Sequence, residues 1–366
     1  MIPSRATAQL YRSIGRARNG GHRRRSDGGA DYGTNEMRVS VIGAGSWGTT
    51  VAALSARTHP TQLWARRPEL AEAIRTTSEN PDYLTGYRLP YGLHATSDLG
   101  EAVDRPDVVV MAVPSHGFRT VIEGLAGRLD PAVPILSLSK GIEQDTLFRM
   151  TQVTMDVLTD HDPTRVGVMT GPNLASEVME GQPTATVIAM ENTDQARELQ
   201  RLFMGPSFRV YTNQDVVGCE TAGALKNVLA IAAGMSSGLG FGDNSLASLI
   251  TRALAELTRL GVAMGGSHET FAGLAGMGDL IATCVSTRSR NHRVGVELGK
   301  GRKIDDIIAD MHMVAEGVKT TRAVLSLADR HGVEMPIATQ VGRVLHNGAG
   351  PREAVLALMT REAKSE

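Results

Sequence analysis

The chain has 366 residues, 42% of them hydrophobic, and carries 38 basic against 39 acidic side chains, for a formal net charge of −1. That length exceeds one ordinary core and predicts two domains, while the even charge balance, with no basic stripe in the folded part, excludes a nucleic-acid backbone as a partner. Cys219 and Cys284 lie far apart without a CxxC or a His-rich neighbour, which excludes a disulfide framework and a metal centre and suits buried, reduced thiols in the cytoplasm.

Residues 1–36 hold Arg5, Arg12, Arg16, Arg18 and the run Arg23, Arg24, Arg25 against few acids and show no apolar periodicity. They read as a disordered Arg-rich tail that lacks the apolar core of a signal peptide, and no later apolar run approaches the length of a membrane span. The first structured stretch is Val39–Ile42, a β-branched run that breaks at Gly43-Ala-Gly-Ser-Trp-Gly48 and passes into Ala-rich helical sequence through Leu54. This is strand, glycine turn, helix. Gly43 permits the turn, Gly45 lets the backbone approach a diphosphate, and Gly48 lets the helix pack on the strand, so the expected ligand is a dinucleotide.

Gln62–Ala65 is the next strand, followed by Arg66-Arg67-Pro68 where an NAD-binding acid would stand. Arginine there suits the 2′-phosphate of NADP, although two arginines stacked on adenine would leave NAD open. Asp107–Pro114 and Pro134–Gly141 are buried strands whose ends should face the nicotinamide half. That makes Lys140 a site candidate against the plainer reading of a solvated strand end, and makes His116 a loop residue near the cofactor without a catalytic role. Strands at Arg165–Met169, Thr184–Met190 and Phe208–Tyr211, with a helix over Asp194–Phe203, extend what the alternation predicts to be a parallel sheet. After Asn213 the pattern turns helical: Glu220–Met235, Asn244–Gly261, Ile304–Met311, Glu316–Arg330 and Thr339–Leu345. The expected fold is α/β, with a Rossmann-type doubly wound sheet over 37–214 and an all-α substrate domain over 215–366.

Three places in the helical half interrupt apolar sequence with polar groups. Lys226, in Ala222-Gly-Ala-Leu-Lys-Asn227, is either a buried acid/base whose pKa falls with desolvation or a lysine snorkelling from a helix edge. Asp279 follows the cluster Gly273-Leu-Ala-Gly-Met-Gly278 and could pair with Lys226, accept from a substrate hydroxyl, or cap the next helix. Ser289-Arg290-Asn291 offers a guanidinium fork between two hydrogen-bonding side chains, a phosphate clamp or a plain surface loop.

In order along the chain, Gly43-Ala-Gly-Ser-Trp-Gly48, Trp64-Ala-Arg66, Asn80-Pro-Asp-Tyr-Leu84, Leu138-Ser-Lys-Gly141, Gly171-Pro-Asn-Leu-Ala175, Gly223-Ala-Leu-Lys-Asn227, Gly273 to Asp279, Ser289-Arg-Asn291 and Val314-Ala-Glu-Gly317 resemble the bacterial-type NAD(P)-dependent glycerol-3-phosphate dehydrogenase family. The resemblance implies reduction of dihydroxyacetone phosphate by NADPH or NADH to sn-glycerol 3-phosphate, a backbone for glycerophospholipids. It implies Lys226 as the catalytic proton donor, and Lys140, Gly171, Asn173, Lys226, Asp279, Ser289, Arg290 and Asn291 as the substrate site. Asn173 stands where the family commonly has serine. Gly43, Gly45, Ser46, Trp47, Gly48, Arg66, Arg67, Tyr83, Lys140, Ala175, Arg290, Val314 and Glu316 would line the cofactor. A homodimer through the helical half is the expected assembly, by frequency. Two other readings remain at this point: a two-domain reductase of β-hydroxy acids, whose carboxylate would also accept Arg290, and a non-catalytic NADP-binding sensor.

Overall fold

Strand β1 (Val39–Ile42) is buried along its whole length, as its unbroken apolar sequence requires of a strand covered on both faces. It pairs in parallel with β2 (Thr61–Trp64) on one side and β6 (Val108–Met111) on the other, Val39 lying opposite both Thr61 and Val108. A computed structural model describes residues 36–311 and 315–362; the Arg-rich tail up to residue 35 and Val314 lie outside the described residues. With β5 (Leu93–Thr96), β7 (Ile135–Ser137), β8 (Val166–Thr170), β9 (Thr184–Ala189) and β10 (Phe208–Asn213), these strands form an eight-stranded sheet in the order β10-β9-β8-β7-β6-β1-β2-β5. A separate hairpin pairs β3 (Glu79–Asn80) with β4 (Leu84–Arg88).

The expectation of an all-parallel sheet is corrected at one edge. β8 and β9 pair antiparallel, Val168 opposite Ala189, while β9 and β10 are parallel to each other. The physical reason is the connection. Between β8 and β9 the only helix is the five-residue Ala175–Met179, so the chain turns back beside β8, whereas the eleven-residue Thr193–Phe203 carries a crossover to β10. The hairpin, β5 and the helices Phe118–Glu123 and Met150–Val157 were not expected from the sequence, being short or weakly patterned.

The helical half is organised around Val216–Gly238, buried from Gly218 through Ser236 and capped by Asp215, whose carboxylate accepts from the Gly218 amide at 2.7 Å. By length and composition this helix is apolar enough to cross a membrane, contrary to the reading that no run approaches that length. In its most apolar window 94% of the residues are buried inside the protein, as a core helix requires. Glycines bring a second helix, Arg290–Gly299, against it: a Cβ on Gly234 would sit 2.0 Å from the His292 carbonyl oxygen, and one on Gly295 would sit 2.1 Å from that of Ile231. Glu220 ties the same helix to the sheet half, taking Arg149 at 2.7 Å and the Thr151 amide and hydroxyl at 2.9 and 2.6 Å. From Met37 onward the chain is accordingly one compact unit. Pro336–His346 is held differently, with the buried Glu256 carboxylate receiving its Ile337 and Ala338 amides at 2.7 and 3.3 Å.

Candidate active site

The glycine loop has the geometry its sequence demands. Gly43 lies at φ +123°, a region that favours glycine, and a Cβ there would meet the Ala112 carbonyl oxygen at 2.6 Å. One on Gly48 would meet the Gly43 carbonyl oxygen at 2.0 Å, while Gly45 faces open space. The helix Ser46–Ser55 begins at Gly45 with no side-chain cap and no acid in its first turn, leaving N–H groups for an anion. Around it the Trp47 indole Nε1 is buried without a partner among the described residues, the Ser46 hydroxyl donates to the Tyr83 carbonyl at 2.7 Å, and Asn80 donates to the Ala44 carbonyl and Thr49 hydroxyl at 2.9 and 2.8 Å. An open glycine, an uncapped helix start and an orphaned donor fit the diphosphate of a dinucleotide.

Beyond β2 the two arginines separate. Both are exposed, but Arg67 is engaged by the Asp82 carboxylate, its guanidinium 6.0 Å from the centre of the Tyr83 ring. At the end of β6, the Glu316 carboxylate receives the Ser115 amide at 3.2 Å and the Ser115 hydroxyl at 2.6 Å. The start of the Glu316–Arg330 helix is thereby joined to the loop beside the glycine turn. Ala175 opens the short helix after β8, half-buried.

The polar centre lies where the ends of β7 and β8 meet the Val216–Gly238 helix. Lys226 is 5% exposed, so it does not snorkel; its Nζ donates to Asp279 Oδ1 at 2.5 Å and to the Thr283 hydroxyl at 2.6 Å. Asp279, 2% exposed, takes Lys140 Nζ on its other oxygen at 2.7 Å, and Lys140 also donates to the Gly171 carbonyl at 3.1 Å. One carboxylate thus serves two ammonium groups. Desolvation lowers the Lys226 pKa to about 8, with Lys140 pushing the same way and Asp279 opposing. An ammonium has three N–H groups and two of Lys226 are occupied, so one remains for an acceptor such as a ketone oxygen.

Thr283 escaped the sequence reading, though its place four residues after Asp279 on one helical face was the available signal. Its hydroxyl donates to the Asp279 carbonyl at 2.6 Å, which turns its lone pairs to Lys226. A chain of amides runs beside this cluster: Asn227 donates to the Lys140 carbonyl at 3.0 Å, Asn291 to Asn227 Oδ1 at 2.9 Å, and the Gly317 amide to Asn291 Oδ1 at 3.0 Å. Ser289 caps the Arg290–Gly299 helix by accepting from the His292 amide at 3.3 Å. Within the Ser289–Asn291 trio, Ser289 and Asn291 are buried and Arg290 is exposed. Desolvation lowers the Arg290 pKa, with the Glu316 carboxylate opposing. Gly171 turns at φ +138°, and Asn173 donates to the Thr186 hydroxyl at 2.9 Å while its carbonyl oxygen is buried without a partner among the described residues.

Similarity to known proteins agrees with this arrangement. Residues 38–196 match the family model of the NAD-dependent glycerol-3-phosphate dehydrogenase N-terminus, and 215–356 that of its C-terminus. A glycerol-3-phosphate dehydrogenase [NAD(P)+] of Sphingopyxis alaskensis is 58% identical over 305 residues, 83% of this chain and 91% of that protein. One from Thermobifida fusca is 49% identical, over 90% of this chain and 98% of its own. The crystal structure of glycerol-3-phosphate dehydrogenase from Coxiella burnetii superposes with a TM-score of 0.85 at 36% identity, covering 89% of this chain and 99% of that one. The chain belongs to the NAD-dependent glycerol-3-phosphate dehydrogenase family.

Proposed function

We propose that this enzyme reduces dihydroxyacetone phosphate to sn-glycerol 3-phosphate, reversibly, and that Lys226 gives the proton. The single observation that carries the assignment is a buried ammonium with a pKa of about 8 and one N–H left over. NAD(P)H, when bound, supplies the hydride. Charge then gathers on the ketone oxygen, where the Lys226 ammonium both stabilises and protonates it, an effect of roughly 10² to 10⁴ in rate. Asp279 keeps that ammonium charged and aimed, and in the reverse direction the neutral amine accepts the alcohol proton.

Arg290 anchors the phosphate, with Ser289, Asn291, Lys140, Gly171 and Asn173 completing the substrate site. Its exposed guanidinium beside buried neighbours supports that role. Binding energy gathered at the phosphate orients the ketone, so the anchor contributes to turnover as well as affinity. Gly43 to Gly48, Arg66, Arg67, Tyr83, Lys140, Ala175, Arg290, Val314 and Glu316 line the cofactor in this reading, and exposed Arg66 favours NADP over NAD. We place the boundary between the cofactor and substrate domains at 214/215, between the end of β10 and the start of the long helix.

The product would supply glycerophospholipid synthesis. A cytoplasmic location accords with two free, buried cysteines. A homodimer accords with Met277, Ile281 and Val285, exposed at four-residue spacing in the helical half. The test is nicotinamide absorbance on mixing the protein with dihydroxyacetone phosphate and NADPH or NADH. Oxidation that disappears in Lys226→Ala, while cofactor binding persists, supports the assignment; no oxidation with either cofactor, or an unimpaired variant, overturns it.

A further inference from the structure

The turn that leads into Arg290 is tied to the sheet half by a residue outside the substrate site. Arg288 lies between the helices Asp279–Val285 and Arg290–Gly299, two residues before Arg290. Its Nη1 donates to the Ser176 hydroxyl at 2.8 Å and to Glu180 Oε1 at 3.5 Å, and stands 3.8 Å from Glu177 Oε1. Ser176 and Glu180 are 112 and 108 residues away in sequence, on the helix Ala175–Met179 and at its C-terminal cap, directly after the loop of Gly171 and Asn173. Glu180 is a fixed acceptor. The Tyr87 hydroxyl, from β4, donates to the same oxygen at 3.0 Å, and Gln182 Nε2 donates to the other at 2.8 Å. Those two hydrogen bonds, Tyr87 first, lower the Glu180 pKa and keep a charged carboxylate opposite Arg288.

We propose that Arg288 is a positioning residue for the substrate: by clasping Ser176 and Glu180 it fixes the turn 286–289, and with it the guanidinium of Arg290, against the sheet half where the phosphate is to be met. The inference rests on the reading of Arg290 as the phosphate anchor. From within the helical half the start of the Arg290–Gly299 helix is held by the Ser289 cap and by Asn291, bonded to Asn227 and Gly317. Arg288 adds a hold from the opposite side. The Arg288 side chain is 46% exposed, so the clasp contributes little to folding stability. Its effect falls on the anchor, because an arginine on a loose turn must be immobilised when the phosphate binds, which costs affinity and orients the ketone less well.

The experiment is kcat/KM of the full chain for dihydroxyacetone phosphate and for free dihydroxyacetone, in parallel, at saturating reduced cofactor. Arg288→Ala should lose about fivefold on the phosphorylated substrate, the upper scale of an exposed ion pair, and keep its value on free dihydroxyacetone. Glu180→Gln should lose in the same direction, Arg288→Lys should recover part of the loss, and the double variant Arg288→Ala, Glu180→Gln should be no worse than Arg288→Ala, since both changes remove one contact. A guanidinium at 288 that met the phosphate itself would be freed by Glu180→Gln, which would then leave the phosphorylated substrate as good or better. That result, an unimpaired Arg288→Ala, or an equal loss on both substrates overturns the positioning role alone. Arg290→Ala tests the reading beneath it: a variant that still prefers the phosphorylated substrate as the wild type does overturns the anchor, and the proposal with it.

Discussion

Replacing Asp279 by asparagine preserves the size and hydrogen-bonding reach of the side chain and removes one charge from between two ammonium groups, 2.5 Å from Lys226 and 2.7 Å from Lys140. Lys226 has a pKa of about 8, with desolvation and Lys140 pressing it down and Asp279 holding it up. Loss of an opposite charge at contact distance shifts a pKa by about two units. At pH 7.5 the protonated fraction of Lys226 would then fall from about three quarters to about 3%, roughly a 25-fold loss of proton donor.

The assay is the pH profile of kcat for dihydroxyacetone phosphate reduction, followed at the nicotinamide absorbance. In the wild type the rate should decline as pH rises through about 8, and glycerol 3-phosphate oxidation should rise through the same value, because one direction needs the ammonium and the other the amine. In Asp279→Asn the reductive limb should move about two units lower, so that part of the lost rate returns on acidification. Equal loss at every pH, with the limb unmoved, would refute the view that Asp279 acts by keeping Lys226 charged. Folding stability provides a second reading of the same linkage. The folded-state pKa of Lys226 lies below its ordinary value of 10.5, so this group's contribution rises with pH between about 8 and 10.5, and the variant should extend that rise to lower pH.

Arg290→Ala should raise KM for dihydroxyacetone phosphate by about 100-fold, the scale of a lost charge-assisted bidentate contact, and leave that for free dihydroxyacetone far less affected; parallel kinetics on the two substrates checks it. Gly48→Ala places a methyl 2.0 Å from the Gly43 carbonyl oxygen and should abolish dinucleotide binding, measured by cofactor fluorescence, with a loss of several kcal/mol in stability from the forced displacement. Glu256, buried against the amides of Ile337 and Ala338, has its pKa raised to about 7 by desolvation. The folded state therefore holds its proton more tightly than the unfolded chain, and this group's contribution to stability is full below about 4.5 and lost as pH rises to about 7. Denaturant midpoints between pH 4.5 and 7.5 should show that component in the wild type and its absence in Glu256→Gln.

What the sequence determined by itself was local. Strand, glycine turn and helix could be read from 39–55 because Gly43 and Gly48 answer contacts within the same βα unit or just beyond the strand beside it, and helix Glu316–Arg330 was found at its observed bounds because its apolar period and acidic first turn are local signals. Tertiary structure decided the chemistry. Lys226 and Asp279 are 53 residues apart and Lys140 and Asp279 are 139 apart, so the choice between a snorkelling lysine and a buried acid depended on which surfaces met. The same holds for Arg67, turned to Asp82, and for Asn291, drawn into the amide chain that ends at Gly317. The reversal of β9 and β10 was likewise invisible in an apolar run, because strand direction is set by the length of the connection and the edge left free, not by the residues of the strand.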